Sequence, residues 1–451
     1  MKIVVVGCGK IGTVILSSLV AEGHDVVAID NNPTVLNEVT TIHDVMGVCG
    51  NGADCDTLEE AGAKDAELIV AVTDSDEMNM LSCFMASRMG ASHTIARIRN
   101  PEYNDNSLGF MLKHLELSLA INPELMAAKE LFRLLKLPSA AKAETFGKNF
   151  EMVELKLKEE SVLDGVSLIE FRKKYQMNLL ICVVKRGEEV FIPDGNFILR
   201  SGDKIGITAR AAEIVNFFKL LGVQRKISKN VMILGASKTA FYLAKMLLDG
   251  GSKVKIIELD PKKCEEFSEA LPGAVIINGD GARQELLLEE GIKDTDAFVS
   301  LTGMDEENIL ISYYAATHDV PQVIAKVNRE EFVIMAEKLG LECVVTPKKH
   351  IADVLVRYAR GLENSLGSKV ETLYKLMDGK AELLEFIVQA DCELNGTPLK
   401  TLNIKKNTRI AGIIRGRKIV IPSGDDCMLS GDKVIVVSSN QGMNDLSDIV
   451  E

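Results

Sequence analysis

The sequence has no C-x-x-C pair, no long apolar run and no excess of basic charge. Its nine cysteines, Cys8, Cys49, Cys55, Cys83, Cys182, Cys264, Cys343, Cys392 and Cys427, are scattered. That spacing excludes a zinc knuckle and a thioredoxin-like site. An odd count of scattered thiols fits a reducing cytosol. No stretch of about 18 apolar residues occurs, so no segment is expected to insert into a membrane. The opening MKIVVVGCGKIG reads as a strand and a turn rather than a secretory leader, because glycine interrupts its short apolar run. A formal net charge of −13 argues against a nucleic-acid binder, which needs basic surface to displace counterions. What remains is ordinary globular composition, 47% hydrophobic and 26% charged. The 451 residues leave room for roughly three or four domains.

The chain is written twice. KIVVVGCGKIGTVILSSLVAEGHDVVAID (2–30) aligns with NVMILGASKTAFYLAKMLLDGGSKVKIIE (230–258). GNGADCDTLEEAGAKDAELIVAVTDSDEMN (50–79) aligns with GDGARQELLLEEGIKDTDAFVSLTGMDEEN (279–308). IARIRN (95–100) matches IAKVNR (324–329), and VFIPDGNFILRSGDKIGI (190–207) matches IVIPSGDDCMLSGDKVIV (419–436). A period of about 225 residues is too long for a solenoid and indicates duplication of a two-domain unit. In each unit, apolar runs first alternate with helical patterns, which predicts a parallel sheet with right-handed crossovers. A smaller α+β lobe follows, in which FEMVELKL, LLICVVKR, EEVFIP and DKIGIT read as strands between Gly, Asp and Pro turns.

Between the two parts lies PELMAAKELFRLLK (123–136), repeated as PKKHIADVLVRYAR (347–360). Pro123 suits a helix start, and Leu125, Ala128, Leu131, Phe132 and Leu135 form an apolar stripe. The stripe is suited to a dimer contact or to packing on the helix's own sheet.

Gly7, Cys8, Gly9, Lys10, Ile11 and Gly12 follow a strand and open a helix, the context that makes G-x-G-x-x-G specific. Gly7 permits the tight turn, Gly9 lets the backbone approach a pyrophosphate, and Gly12 allows close helix–strand packing. The helix N-terminus offers N–H groups and a positive partial charge to phosphates. Asp30 ends the second strand, 18 residues after Gly12. Its carboxylate can accept from ribose hydroxyls and disfavours a 2′-phosphate. The fingerprint therefore fits NAD(H) and ATP or ADP alike. Asn51, Thr73, Asp74, Arg97 and Arg99 fall at further strand ends. Asn51 is placed for an adenine edge or ribose, Thr73 for phosphate or the second ribose, and Arg97 or Arg99 for phosphate charge. Thr73 and Asp74 equally suit simple helix capping, and Arg99 a solvated edge.

The second loop reads Gly235, Ala236, Ser237, Lys238, Thr239 and Ala240, with Glu258 in place of Asp30, Asp280 for Asn51, Thr302 for Thr73 and Lys326 for Arg97. Ser237 stands where the second glycine stood, and its CH2OH is expected to crowd a pyrophosphate. Whether this loop binds a nucleotide is left open by its residues.

A rival reading is an NAD-dependent oxidoreductase, which needs an acid or base near the nicotinamide. None of the six histidines, His24, His43, His93, His114, His318 and His350, recurs at matching positions of the two halves. No Ser/His or Cys/His constellation is legible, Cys8 reads as a space-filler, and no metal cluster is indicated. The residues predict no catalytic group and no metal.

The motifs VVVGCGKIG, AID, GNGAD, LEEAGAKDAELIVAVTDSDEMNM and IARIRNPEY, taken together, resemble the tandem RCK (KTN) regulatory subunits of Trk-type potassium uptake systems. The resemblance covers nearly the whole chain, as lobes 1–135, 145–220, 229–362 and 380–451. It implies a duplicated α/β fold, a Rossmann-like parallel-sheet lobe plus a small α+β C-lobe, twice. It implies a regulatory protein and no enzyme, controlled by NAD(H) or ATP/ADP. It further implies a homo-oligomer, dimer or tetramer, forming a gating ring beneath a potassium-transporting membrane subunit. The protein would be cytoplasmic, peripheral on the inner face of the plasma membrane through that partner. Carried over by position, the first site comprises Gly7 to Ile11, Asp30, Thr73, Asp74 and Arg97. The second comprises Gly235 to Thr239 and Glu258.

Overall fold

The computed structural model describes the whole chain except residues 101–102, 104, 138–141, 147–148, 223–227, 365–369, 441–442 and 444. Pro101 and Glu102 of the IARIRNPEY motif thus lie outside the described residues.

The first large lobe runs β1 (Lys2–Val6), α1 (Lys10–Ala21), β2 (Asp25–Asp30), α2 (Pro33–His43), β3 (Met46–Cys49), α3 (Cys55–Glu60), β4 (Leu68–Ala71), α4 (Asp76–Met89), β5 (His93–Arg97), α5 (Asp105–His114), β6 (Leu119–Ile121) and α6 (Pro123–Lys136). Its six strands pair in parallel in the order β3-β2-β1-β4-β5-β6. The order reverses at β1, so the β1 and β4 carboxyl ends open a crevice. Strands buried on both faces need near-continuous apolar runs. Ile3, Val4 and Val5, and Leu68, Ile69, Val70 and Ala71, are fully buried.

The first small lobe contains β7 (Lys142–Phe146), β8 (Phe150–Lys156), α7 (Leu168–Tyr175), β9 (Leu179–Arg186), β10 (Glu189–Phe191), β11 (Lys204–Arg210) and α8 (Ala211–Leu220). The sheet is antiparallel, in the order β10-β9-β11-β8-β7. Four of its strands match the predicted runs; β7 was not foreseen.

The second large lobe repeats the first: β12 (Asn230–Leu234), α9 (Lys238–Asp249), β13 (Lys253–Glu258), α10 (Pro261–Ala270), β14 (Val275–Asn278), α11 (Gln284–Glu289), β15 (Ala297–Ser300), α12 (Asp305–Thr317), β16 (Gln322–Lys326), α13 (Glu330–Lys338), β17 (Cys343–Val345) and α14 (Pro347–Asn364). Its order, β14-β13-β12-β15-β16-β17, is the same. The last lobe holds β18 (Val370–Leu376), β19 (Ala381–Ile387), β20 (Thr408–Arg415), β21 (Lys418–Val420) and β22 (Lys433–Ser438), in the order β18-β19-β22-β20-β21.

The chain divides into two compact units, residues 1–128 with Thr346–Ala359, and Lys129–Val345 with Arg360–Glu451. The boundary falls inside the 123–136 stripe, between Ala128 and Lys129. From Lys129 onward α6 belongs with the second large lobe, where Gln322 Nε2 donates to Leu134 O at 2.8 Å. The buried face is Ala127, Ala128, Leu131, Leu134 and Leu135, while Leu125 and Phe132 are half-buried.

The two small lobes share one core. Phe146, Phe150, Met152, Cys182 and Val183 pack with Leu376, Met377, Leu383, Ala411, Ile435 and Val437. Thr208 Oγ1 donates to Ala411 O at 2.8 Å, and Met377 N donates to Glu154 Oε1 at 2.9 Å. A Cβ on Gly412 would lie 2.4 Å from the Phe150 ring, so glycine is required there by the neighbouring aromatic.

Candidate functional site

The glycines of the first loop answer to different constraints. Gly7 has φ +95°, and a Cβ there would meet Thr73 N at 2.9 Å. A Cβ on Gly12 would sit 1.8 Å from Gly7 O. Both glycines are demanded by the protein's own backbone. Gly9 is not: its φ of −67° suits any residue, and a Cβ would meet nothing within 4 Å. Space kept open on the outside of the loop is what an approaching phosphate requires.

Gly9 is also the N-cap of α1 and supplies no side-chain cap. The first-turn N–H groups therefore have no side-chain acceptor from the cap residue, and intrahelical bonding cannot supply one. Thr13 Oγ1 holds the loop from behind, donating to Cys8 O at 2.9 Å. Burial, reinforced by Asp30, pushes the Cys8 thiol up to about 12. A thiol that stays protonated is a space-filler, as its position suggested.

Asp30 closes the loop from β2. Its Oδ2 accepts from Cys8 N at 2.6 Å and its Oδ1 from Asn32 N at 2.8 Å. The carboxylate is thus held rigidly beside the glycine turn, with acceptor capacity left for hydroxyl donors. Glu258 repeats both bonds, from Ala236 N at 2.6 Å and Asp260 N at 2.9 Å.

Thr73 backs onto Gly7, and its N–H and hydroxyl both donate to Asn79 Oδ1 at 2.7 Å. Asn79, fully buried, spends its Nδ2 on Thr73 O and Arg97 O at 3.2 and 3.0 Å. It ties the ends of β4 and β5 together. Asn308 does the same with Thr302 and Lys326 O. Asp76 accepts from the Arg99 and Asn100 amides at 2.7 and 2.8 Å, and Asp305 from Asn328 and Arg329 at 3.0 Å. The roles of Asn79 and Asp76 were missed, although their identity with Asn308 and Asp305 in both halves was the available signal. The helix cap is Ser75, which accepts from Met78 N, so Thr73 and Asp74 are not the capping pair. Nor is Arg99 a free edge residue: it pairs with Asp76 and donates to Asp74 O.

Arg97 is buried at the crevice floor. Its Nη1 lies 3.4 Å from Thr73 O and 3.8 Å from the exposed Asp74 carboxylate, and its Nη2 lies 3.4 Å from Glu124 Oε1. Burial pushes its guanidinium below the usual arginine range, and Glu124 opposes that. Among the described residues, Arg97 Nε and Glu124 Oε2 are buried with no hydrogen-bond partner. Asn51 turns into its own loop, accepting from Ala53 N at 3.0 Å, and Lys10 is exposed.

In the second large lobe Gly235, Ala236, Ser237, Glu258, Asp280 and Thr302 line one cleft of about 210 Å³; Lys238 and Thr239 do not line it. Gly235 keeps φ +92°. Ser237 does more than add bulk: its Oγ accepts from Ala240 N at 3.3 Å and caps α9. Among the described residues, no group of three or more His, Cys, Asp or Glu is placed to hold a metal. Nor is any helix long and apolar enough to cross a membrane.

The residues fit an adenine nucleotide at the first loop: open space over Gly9, an uncapped helix start, a fixed carboxylate and an incompletely satisfied buried arginine. The TrkA-N domain model matches residues 3–122 and 231–347, and the TrkA-C domain model matches 152–222 and 383–451. A Trk system potassium uptake protein TrkA homolog of Archaeoglobus fulgidus is 32% identical over the full length of both chains. The Trk system potassium uptake protein TrkA of Haemophilus influenzae is 29% identical, over 98% of this chain and 96% of its own. These are names of potassium uptake proteins, not of dehydrogenases. Among solved structures, the GsuK channel bound to NAD shares the fold with a TM-score of 0.63 and 16% identity, over 97% of this chain and 76% of that one. The duplicated sheets, the glycine turns and these full-length matches place the chain in the TrkA family, as a tandem of two TrkA-N and two TrkA-C domains.

Proposed function

We propose that this chain is the nucleotide-sensing regulatory subunit of a Trk-type potassium uptake system. The observation that carries the reading is Gly9: neither its backbone angle nor its neighbours require glycine, so the open space serves something outside the protein. Asp30, fixed beside it, is read as the ribose acceptor. Gly9, Lys10 and Ile11 would face the phosphates, while Gly7 and Cys8 shape the turn with their N–H groups donating to Ile29 O and Asp30 Oδ2; Thr73 and Arg97 would lie beneath, with the exposed Asp74 beside them. The ligand is NAD(H), ATP or ADP; the GsuK channel, a neighbour in fold, has been solved bound to NAD and bound to ADP.

The partner is the potassium-transporting membrane subunit, beneath which copies of this chain assemble as a gating ring. The chain would lie on the cytoplasmic face and reach the membrane through that subunit alone. The functional lobes are taken as 1–135, 145–220, 229–362 and 380–451. A nucleotide acts by binding one conformation better than another, and only that difference can move the transporter.

Calorimetry with ATP, ADP, NAD and NADH, followed by potassium flux in vesicles carrying the membrane subunit, tests this. Asp30→Ala should lower nucleotide affinity by about 1–3 kcal/mol and weaken the nucleotide's effect on flux. Unchanged affinity rejects the ribose role, and hydride transfer to any substrate would restore the oxidoreductase.

A further inference from the structure

The two large lobes have the same frame but differ at the places a ligand would touch. In the first, the cap of α1 is Gly9, with open space above it. In the second, the cap of α9 is Ser237, whose hydroxyl accepts from Ala240 N at 3.3 Å. The protein's own oxygen thus takes one of the N–H groups that a phosphate oxygen would need. The charge differs as well. The second cleft is lined by three carboxylates, Glu258, Asp280 and Glu307, against one ammonium, Lys263. Lys326, at the position of Arg97, directs its Nζ to Leu301 O at 3.4 Å. Such a lining repels a polyanion. The mouth is also more apolar. Leu259 and Met304, 68% and 59% exposed, line the cleft where the first lobe carries Asn31 and Ser75.

We infer that Ser237 makes the second cleft a nucleoside site that rejects diphosphates, so that the chain binds one diphosphate nucleotide, at the first loop. A planar base would rest on Leu259 and Met304, and the ribose diol would donate to Glu258 and Asp280. The stoichiometry rests on the proposed reading of the first loop; the selectivity of the second cleft does not. A duplicated receptor with unlike sites can report two different ligands to one assembly.

The test is calorimetry on the full chain with ADP and with adenosine. Wild type should bind one ADP per chain. Gly9→Asp should abolish that binding and leave an adenosine site, which Glu258→Gln then weakens about tenfold. Ser237→Gly should raise ADP stoichiometry from one to two, its retained first site serving as the folding control. Two equivalent ADP sites in wild type overturn the inference. So does an unchanged stoichiometry in Ser237→Gly, or no adenosine binding in Gly9→Asp. A wild-type chain that binds adenosine through Glu258 but no ADP refutes the reading of the first loop and upholds the selectivity of the second cleft.

Discussion

Arg97 Nη2 lies 3.4 Å from Glu124 Oε1, joining the end of β5 at the crevice floor to the first turn of α6. The pair is largely buried, with side chains 8% and 20% exposed. The second half has no counterpart, because Lys326 and Lys348 occupy the equivalent positions. Removing one partner of such a pair strands the other's charge. Arg97→Gln should therefore destabilise the first unit by about 2–4 kcal/mol, and Glu124→Gln in the same chain should recover part of that. Thermal unfolding of both single variants and the double variant measures the coupling. Additive effects would show that the two charges do not interact.

The glycine loop offers a test with opposite readouts. Gly9→Ala should leave stability within about 0.5 kcal/mol, since its angles and surroundings accept a methyl. Nucleotide affinity should nevertheless fall. Gly12→Ala should destabilise the fold itself, since its Cβ would be 1.8 Å from Gly7 O. Melting temperature and calorimetry on the two variants separate ligand space from backbone space.

Asn79 satisfies two strand ends at once. Asn79→Ala leaves the Thr73 amide and the Arg97 carbonyl without that partner, at a cost of about 2–4 kcal/mol. Asn308→Ala should cost a similar amount in the second lobe. Hydrogen exchange should show faster opening at Thr73 and Thr302 respectively. Protection unchanged from wild type would remove both residues from this role.

Burial pushes the thiols of Cys8, Cys83, Cys182 and Cys343 from the ordinary thiol value of 9.0 up to about 12. The folded chain thus holds these protons more tightly than the unfolded chain. Their contribution to stability is fully present below about pH 9 and lost as pH rises from there towards 12. Urea midpoints should fall over that window, with a shallower fall in Cys83→Ala. At pH 8.5, alkylation should reach the exposed Cys49 and Cys55 first. Equal labelling of all nine thiols by mass spectrometry would contradict the burial.

Much of the fold was legible because its signals are local. A buried parallel strand must be apolar on both faces, so VVV, DVVAI and LIVAV announced β1, β2 and β4. The duplication then gave each assignment a second copy to agree with. β7 escaped because KAETF carries only two apolar residues, and its pairing with β8 supplies what its own pattern does not. The site was legible to the same degree. Gly7, Gly9, Gly12 and Asp30 follow a spacing set by one turn and one strand length.

Residue order alone determined the two-fold repeat, the parallel sheets, the glycine turns and the acidic strand end, because each depends on neighbours within a few residues. Tertiary structure decided that Asp30 grips the Cys8 amide, that Asn79 bridges two strand ends, and that α6 from Lys129 onward joins the second large lobe. Those contacts span 6 to 188 positions, and nothing in a local pattern records which distant surface a side chain will meet. Ser237 shows the limit best. Its identity was plain, but only the path of the helix beneath it turned a bulky substitution into a hydrogen-bonded cap.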